Sequence, residues 1–270
     1  MSSGLRQRIA TALLLAALVL VILLRLPPGV AVAAVMVVVI AGAWEWAGLA
    51  RLRSGGARVV YATAIGLAVG IAWASSESTD VLVALLAAAG VWWLVAWAWL
   101  AIAPGWGGRT AAALAGFAVL VPAAVGVGRL VSLQPGGQLL LLFLLVLVAA
   151  ADVGAYFGGR MLGRRKLAPR VSPNKTWEGF FAGMAAAVLA AVAGGVLLGA
   201  PLSRWLPVCV ATAGVSVVGD LLESMFKRQA GLKDSSTLLP GHGGVLDRLD
   251  SITAAGPVFL LGLLLLGMHG

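Results

Sequence analysis

The chain has 270 residues, 61% hydrophobic and 11% charged, with a mean hydropathy of +1.03 and a net charge of +9. A soluble domain of this composition would expose large apolar patches and aggregate, so the composition excludes a soluble enzyme and predicts an integral membrane protein. In a soluble chain the positive charge would suggest nucleic acid. Here the positive-inside bias accounts for it, an anionic lipid or nucleotide substrate would add to it, and no nucleic-acid partner is predicted.

The apolar runs are continuous rather than alternating, which predicts an all-α polytopic bundle and not a barrel. Nine transmembrane helices are predicted, near 9–24, 30–50, 59–75, 81–103, 110–131, 138–158, 177–199, 203–225 and 252–269. The first follows Arg6 and Arg8 as a signal peptide would, but it is long for one and is read as an uncleaved helix. Trp92, Trp93, Trp97, Trp99 and Trp106 gather around one span and read as an aromatic belt. The pairs Gly66/Gly70, Gly154/Gly158 and Gly195/Gly199 have the small-xxx-small spacing of close helix contacts. Cys209, the single cysteine, lies in an apolar run and reads as packing. With the N-terminus in the cytoplasm, only Arg25, Arg129 and Arg204 of the 19 basic residues fall outside, and nine spans place the C-terminus outside. The chain divides into N-terminal helices over 1–130 and a catalytic region over 131–270.

Four polar constellations stand out, all on the predicted cytoplasmic side. Asp152-Val-Gly-Ala-Tyr156 continues through Arg160 to Ser172-Pro-Asn-Lys175-Thr176-Trp177-Glu178. It lacks the GxxxxGK[ST] pattern and the preceding strand of a P-loop, and Ser172-x-x-Lys175 lacks the companion motifs of a β-lactamase. Thr176 stands where α-helix capping would begin the seventh span. Asp220 and Glu223, three residues apart near the end of the eighth span, project from one helix face, with Ser224 beside them. Ionisable groups at that depth pair with one another, bind ions or face a water-filled cavity. Lys227, Arg228, Lys233 and Asp234 follow, then Gly241-His242-Gly243-Gly244, Asp247, Arg248 and Asp250. The glycines allow a tight turn whose N–H groups can cradle an anion. His242 can orient the loop, bind phosphate or move a proton, and orientation is read first.

Together these residues suggest phosphoryl chemistry. Asp220 and Asp247 can hold Mg²⁺, because hard divalent cations bind through one or two carboxylates plus substrate phosphates. The lysines and arginines would neutralise the remaining phosphate charge.

The gapless stretch Ser224-x-Phe226-Lys227-Arg228-x4-Lys233-Asp234-x-Ser236-x2-Leu239-Pro240-x-His242-Gly243-Gly244-Val245-x-Asp247-Arg248-Leu249-Asp250 resembles the signature of the phosphatidate cytidylyltransferases, or CDP-diacylglycerol synthases. Asp152 to Gly179 resembles the region preceding it in that family, with Val153 departing from the small hydroxyl residue expected there; the first 130 residues resemble it in hydropathy and in scattered features such as Trp44-Glu45.

The resemblance implies that CTP and phosphatidic acid are converted to CDP-diacylglycerol and pyrophosphate in the cytoplasmic (inner) membrane of a bacterium, at a site facing the cytoplasm. It implies Asp220 and Asp247 as metal ligands and as catalytic groups together with Lys227 and Lys233. Arg228, Arg248, His242, Gly243, Gly244, Asp234, Asp250, Lys175 and Ser224 are the expected substrate-binding residues. Asp234 and Asp250 of that set are expected to orient the bases or support a second cation, and Lys175, with Lys166 and Arg170 from outside the set, to attract the lipid phosphate or CTP. A monovalent cation such as K⁺ beside Mg²⁺, and a homodimer, are also implied. The other readings are a CTP-dependent lipid kinase or a related nucleotidyltransferase and, in a different class, an anion or lipid transporter. No second copy of the 220–250 pattern exists in the first half to support the inverted repeat of a transporter.

Overall fold

The computed structural model of the chain describes residues 3–238 and 243–268, with side chains from residue 11 onward. His242, expected in the site, lies outside the described residues. The helices are α1 (Ser3–Arg25), α2 (Pro28–Leu49), α3 (Gly55–Ser75), α4 (Thr79–Ile102), α5 (Arg109–Ser132), α6 (Gly137–Leu162), α7 (Trp177–Leu198), α8 (Leu202–Gln229) and α9 (Asp250–Leu265). Seven of them, α2 to α8, are long and apolar enough to cross a membrane; α9 and the stretch Thr11–Arg25 of α1 are shorter apolar helices. The chain is an integral membrane protein, and each predicted span overlaps one helix.

Local chemistry sets the helix ends. Pro28 opens α2, where its missing N–H costs nothing. The Thr176 hydroxyl accepts from the Gly179 amide and caps α7, as its position in the sequence suggests. Gly199, at φ +66°, closes α7 in the left-handed conformation. Helix α8 runs past its predicted end, so Lys227 and Arg228 lie on the helix rather than in a loop.

One element was not anticipated. Between α6 and α7, β1 (Lys166–Ala168) pairs antiparallel with β2 (Ser172–Thr176), with Lys166 opposite Thr176 and Ala168 opposite Ser172. Buried Val171 anchors the turn of this hairpin in the core. Glu178, in the first turn of α7, accepts from the backbone amides of Arg164 and Arg165 and ties the hairpin stem down.

Two apolar cores run through the bundle, and both draw on helices from either side of residue 130. In one, Phe226 of α8 is fully buried between Trp46 of α2 and Trp99 of α4, at ring centroid distances of 5.7 and 5.5 Å. The tryptophans therefore divide. Trp97 and Trp106 are exposed as a belt requires, whereas Trp93 is buried and Trp99 packs on α8, because aromatic area is also what fills a helix junction.

Helices α6 and α7 pack through the predicted Gly154/Gly158 pair. A β-carbon on Gly154 would lie 2.6 Å from Ala186 Cβ, and one on Gly158 would overlap Ala182 Cβ. Across the contact, a β-carbon on Gly183 would lie 2.6 Å from the Ala151 carbonyl oxygen. The surroundings of Gly70 are open, so the Gly66/Gly70 pair does not share this role. Gly158→Val should therefore lower stability by about 1–3 kcal/mol through overpacking. Gly70→Val should stay within about 0.5 kcal/mol of wild type. Thermal unfolding in detergent checks the contrast, and equal losses would remove the close α6–α7 contact from the account.

Candidate active site

The polar residues meet at one end of the bundle, where α2, α6 and α8 finish and α7 and α9 begin. Asp220, Glu223, Ser224 and Lys227 follow the i, i+3, i+4, i+7 spacing, so they form one stripe on the last turns of α8. Gly219 lets α9 approach this stripe: a β-carbon there would sit 2.5 Å from the Asp250 carbonyl oxygen. Asp250 occupies the first turn of α9, where the helix dipole favours a negative charge. Its carboxyl is near enough to those of Asp220 and Glu223 to be repelled by both.

Two lysines balance these acids. Lys175 Nζ, reaching from β2, lies 2.6 Å from Asp220 Oδ2, and the Ser224 hydroxyl donates to Asp220 Oδ1 at 3.3 Å. Lys227 Nζ lies 3.0 Å from Glu223 Oε1 and 2.7 Å from Asp247 Oδ1. Glu223 is 2% exposed, and its Oε2 has no hydrogen-bond partner among the described residues. A buried charge is tolerated only when paired, so Lys227 is what allows two carboxylates to share this corner.

Asp247 lies on a short 3₁₀ turn (Leu246–Arg248) and is held from several sides. Besides Lys227, its carboxylate accepts from the amide of Ser235 at 3.0 Å, the Ser235 hydroxyl at 3.0 Å and the amide of Gly244 at 2.8 Å. Burial alone would raise its pKa, but the Lys227 ammonium and the Gly244 and Ser235 amides outweigh burial and hold it below the ordinary carboxylate range. Gly243 has φ +83°, and a β-carbon there would lie 2.7 Å from Asp247 Oδ2, so this position is restricted to glycine twice over. Next to the glycines, three successive amides donate to carboxylates of the chain itself. The Gly244 amide serves Asp247, while those of Val245 and Leu246 serve Glu45 on α2, at 3.0 and 2.7 Å.

Glu45, named in the sequence only within the Trp44-Glu45 resemblance and not among the expected site residues, belongs to this network. It is 1% exposed and also accepts from the hydroxyls of Ser235 and Ser236, at 3.0 and 2.5 Å. An acid inside an apolar run is itself a signal. The signal has no address, because the partners of Glu45 lie about two hundred positions along the chain.

A cavity of about 500 Å³ opens between α6, α7, α8 and the hairpin. Asp152, Tyr156, Arg160, Asn174, Lys175 and Asp220 are among its polar walls, with Met184 and Val217 among the apolar ones. It thus brings together the 152–179 constellation and one of the two acids read as metal ligands. Asp247 stands on the other lysine, outside this lining. Arg228, Lys233, Asp234 and Arg248 are exposed around the same end, as are Lys166 and Arg170 on the hairpin.

Residues 6–266 match the model of the Cytidylyltransferase family, and the chain belongs to that family. It is 44% identical to the phosphatidate cytidylyltransferase of Pseudomonas aeruginosa, over 94% of this chain and 95% of that protein. It is 40% identical to the phosphatidate cytidylyltransferase of Haemophilus influenzae, over 94% of this chain and 97% of that one. The enzyme of the same name from Brucella suis is 50% identical over 129 residues, 47% of this chain and 48% of that protein.

The site's electrostatics predict an asymmetry among its lysines. Lys227→Met leaves Glu223 and Asp247 without their shared cation and should cost about 3–5 kcal/mol of stability. Lys233→Met, at an exposed position, should stay within about 0.5 kcal/mol of wild type. Denaturation in detergent micelles compares them, and a Lys227→Met protein as stable as wild type would contradict the pairing.

Proposed function

We infer that this chain transfers the cytidylyl group of CTP to phosphatidate, forming CDP-diacylglycerol and releasing pyrophosphate. It does so in a bacterial cytoplasmic membrane, with the site facing the cytoplasm. The carrying observation is the pair of acids Asp220 and Asp247, each held by a different lysine, at the polar end of a membrane bundle similar over 94% of its length to phosphatidate cytidylyltransferases. The concentration of basic residues on that end supports the orientation.

In the reaction an oxygen of the phosphatidate phosphate attacks the α-phosphorus of CTP. A P–O bond forms there, the bond to the β-phosphate breaks, and its electron pair leaves with pyrophosphate. The attacking phosphate is already an anion, so no strong general base is required. The barrier lies in bringing two anions together.

Asp220 and Asp247 would hold Mg²⁺. Their chemistry suits a hard cation: each carboxylate already faces an ammonium at 2.6–2.7 Å, Glu223 Oε1 shares Lys227 with Asp247, and, since no cluster of three ligating side chains forms among the described residues, substrate phosphates would complete the shell. When bound, the ion supplies positive charge that offsets the phosphates and the leaving pyrophosphate. The chain's own residues do the remaining work. Lys175 and Arg160, on the cavity wall, hold a substrate phosphate against Asp152 and Asp220. Arg228, Lys233 and Arg248 draw nucleotide phosphates to the same end. A monovalent cation beside Mg²⁺ and a homodimer belong to this reading through the resemblance of the 224–250 signature.

Pyrophosphate release by the purified protein, in detergent with Mg²⁺ and CTP, should depend on added phosphatidate. Asp247→Asn should lower that rate by about 100-fold or more, the scale of losing one electrostatic stabiliser, with helix content unchanged by circular dichroism. Wild-type turnover in the variant would refute the metal assignment. Absence of phosphatidate-dependent release by wild type would refute the activity.

A further inference from the structure

The network around Asp247 depends on a residue from the opposite half of the chain. Glu45 is buried near the end of α2, and among the described residues four hydrogen bonds reach it, all from the segment 235–246. The donors form two pairs. Ser235 and Ser236 come before Gly243 and Gly244 in the chain, and Val245 and Leu246 after them, so one carboxylate holds two separate segments. An ionised carboxylate is suited to this, since it accepts at both oxygens and donates at neither.

Ser235 joins this anchor to Asp247. Its hydroxyl lies 3.0 Å from Glu45 Oε2 and 3.0 Å from Asp247 Oδ2, while its amide donates to Asp247 at 3.0 Å. A hydroxyl carries one proton, so only one of the two carboxylates receives it at a time. Gly244 closes the gap. A β-carbon there would overlap the Ser235 hydroxyl and come within 2.6 Å of Glu45 Oε2. The three residues leave no room to shift one without the others.

We propose that Glu45 is a positioning residue for Asp247: through Ser235 and the two segments it sets the direction of the Asp247 carboxylate toward the divalent cation. The proposal rests on the reading of Asp247 as a metal ligand. Groups that orient a ligating carboxylate typically change metal affinity by about 10–100-fold when removed. Glu45→Gln keeps the shape but replaces one acceptor with a donor, facing groups that are themselves donors.

The test is direct Mn²⁺ binding to the purified full-length protein, followed by electron paramagnetic resonance without substrate. Glu45→Gln should weaken binding by about 10-fold or more, and Glu45→Asp, which keeps the charge, should recover part of it. Ser235→Ala, which removes the shared hydroxyl and keeps both carboxylates, should weaken Mn²⁺ binding severalfold and serves if Glu45→Gln does not fold. A folded Glu45→Gln or Ser235→Ala protein that binds Mn²⁺ as tightly as wild type overturns the proposal, even if its melting temperature falls. Asp247→Asn separates the two layers. If it loses Mn²⁺ while the Glu45 and Ser235 variants keep it, only the positioning role fails. If Asp247→Asn itself binds normally, the metal reading fails and the positioning role with it.

Discussion

The ion triad of Lys227 with Glu223 and Asp247 is the constraint around which this end of the molecule is arranged. Two carboxylates in an apolar corner repel each other and lose hydration, and a single ammonium between them offsets both costs. That ammonium is fixed because α8 is fixed: Phe226, the residue before Lys227, is locked between Trp46 and Trp99. Asp247 reaches back to Lys227 and is held there by the amides of Ser235 and Gly244. Hence the glycines: Gly219 admits α9, Gly243 adopts a backbone that other residues resist, and Gly244 makes room for Ser235 and Glu45.

A second charge pair repeats the pattern on the other side of the stripe. Lys175 reaches Asp220 from the hairpin, and the hairpin is held by Glu178 and by the Thr176 cap at the start of α7. The close glycine contact between α6 and α7 brings Asp152 and Arg160 onto the wall of the same cavity. Asp220 and Asp247 therefore each meet a lysine, and Lys227 serves Glu223 as well.

Hydropathy made the helices legible, because a bilayer demands long unbroken apolar runs and nothing else in the chain imitates them. The glycine pair of α6 and the cap at Thr176 were legible for local reasons, each resting on spacing within one turn. The hairpin was not, since its short strands combine Pro173, Asn174 and two lysines with no alternation to mark them. Nor was the division of the tryptophans, because a belt and a helix junction draw on the same side chain. Asp220 and Asp247 stood out as charges in an apolar chain, but their separate lysines appear only in three dimensions. Glu45 shows the limit most plainly, as a single acid in α2 whose partners lie in the signature at the far end of the sequence.

Following the fate of each phosphate of CTP tests the account at its centre. With phosphatidate and Mg²⁺, label at the α-phosphorus should enter the lipid product, and label at the γ-phosphorus should leave as pyrophosphate in equal amount. Transfer of γ-label to lipid, with α-label remaining in soluble CDP, would mark a kinase and contradict the account.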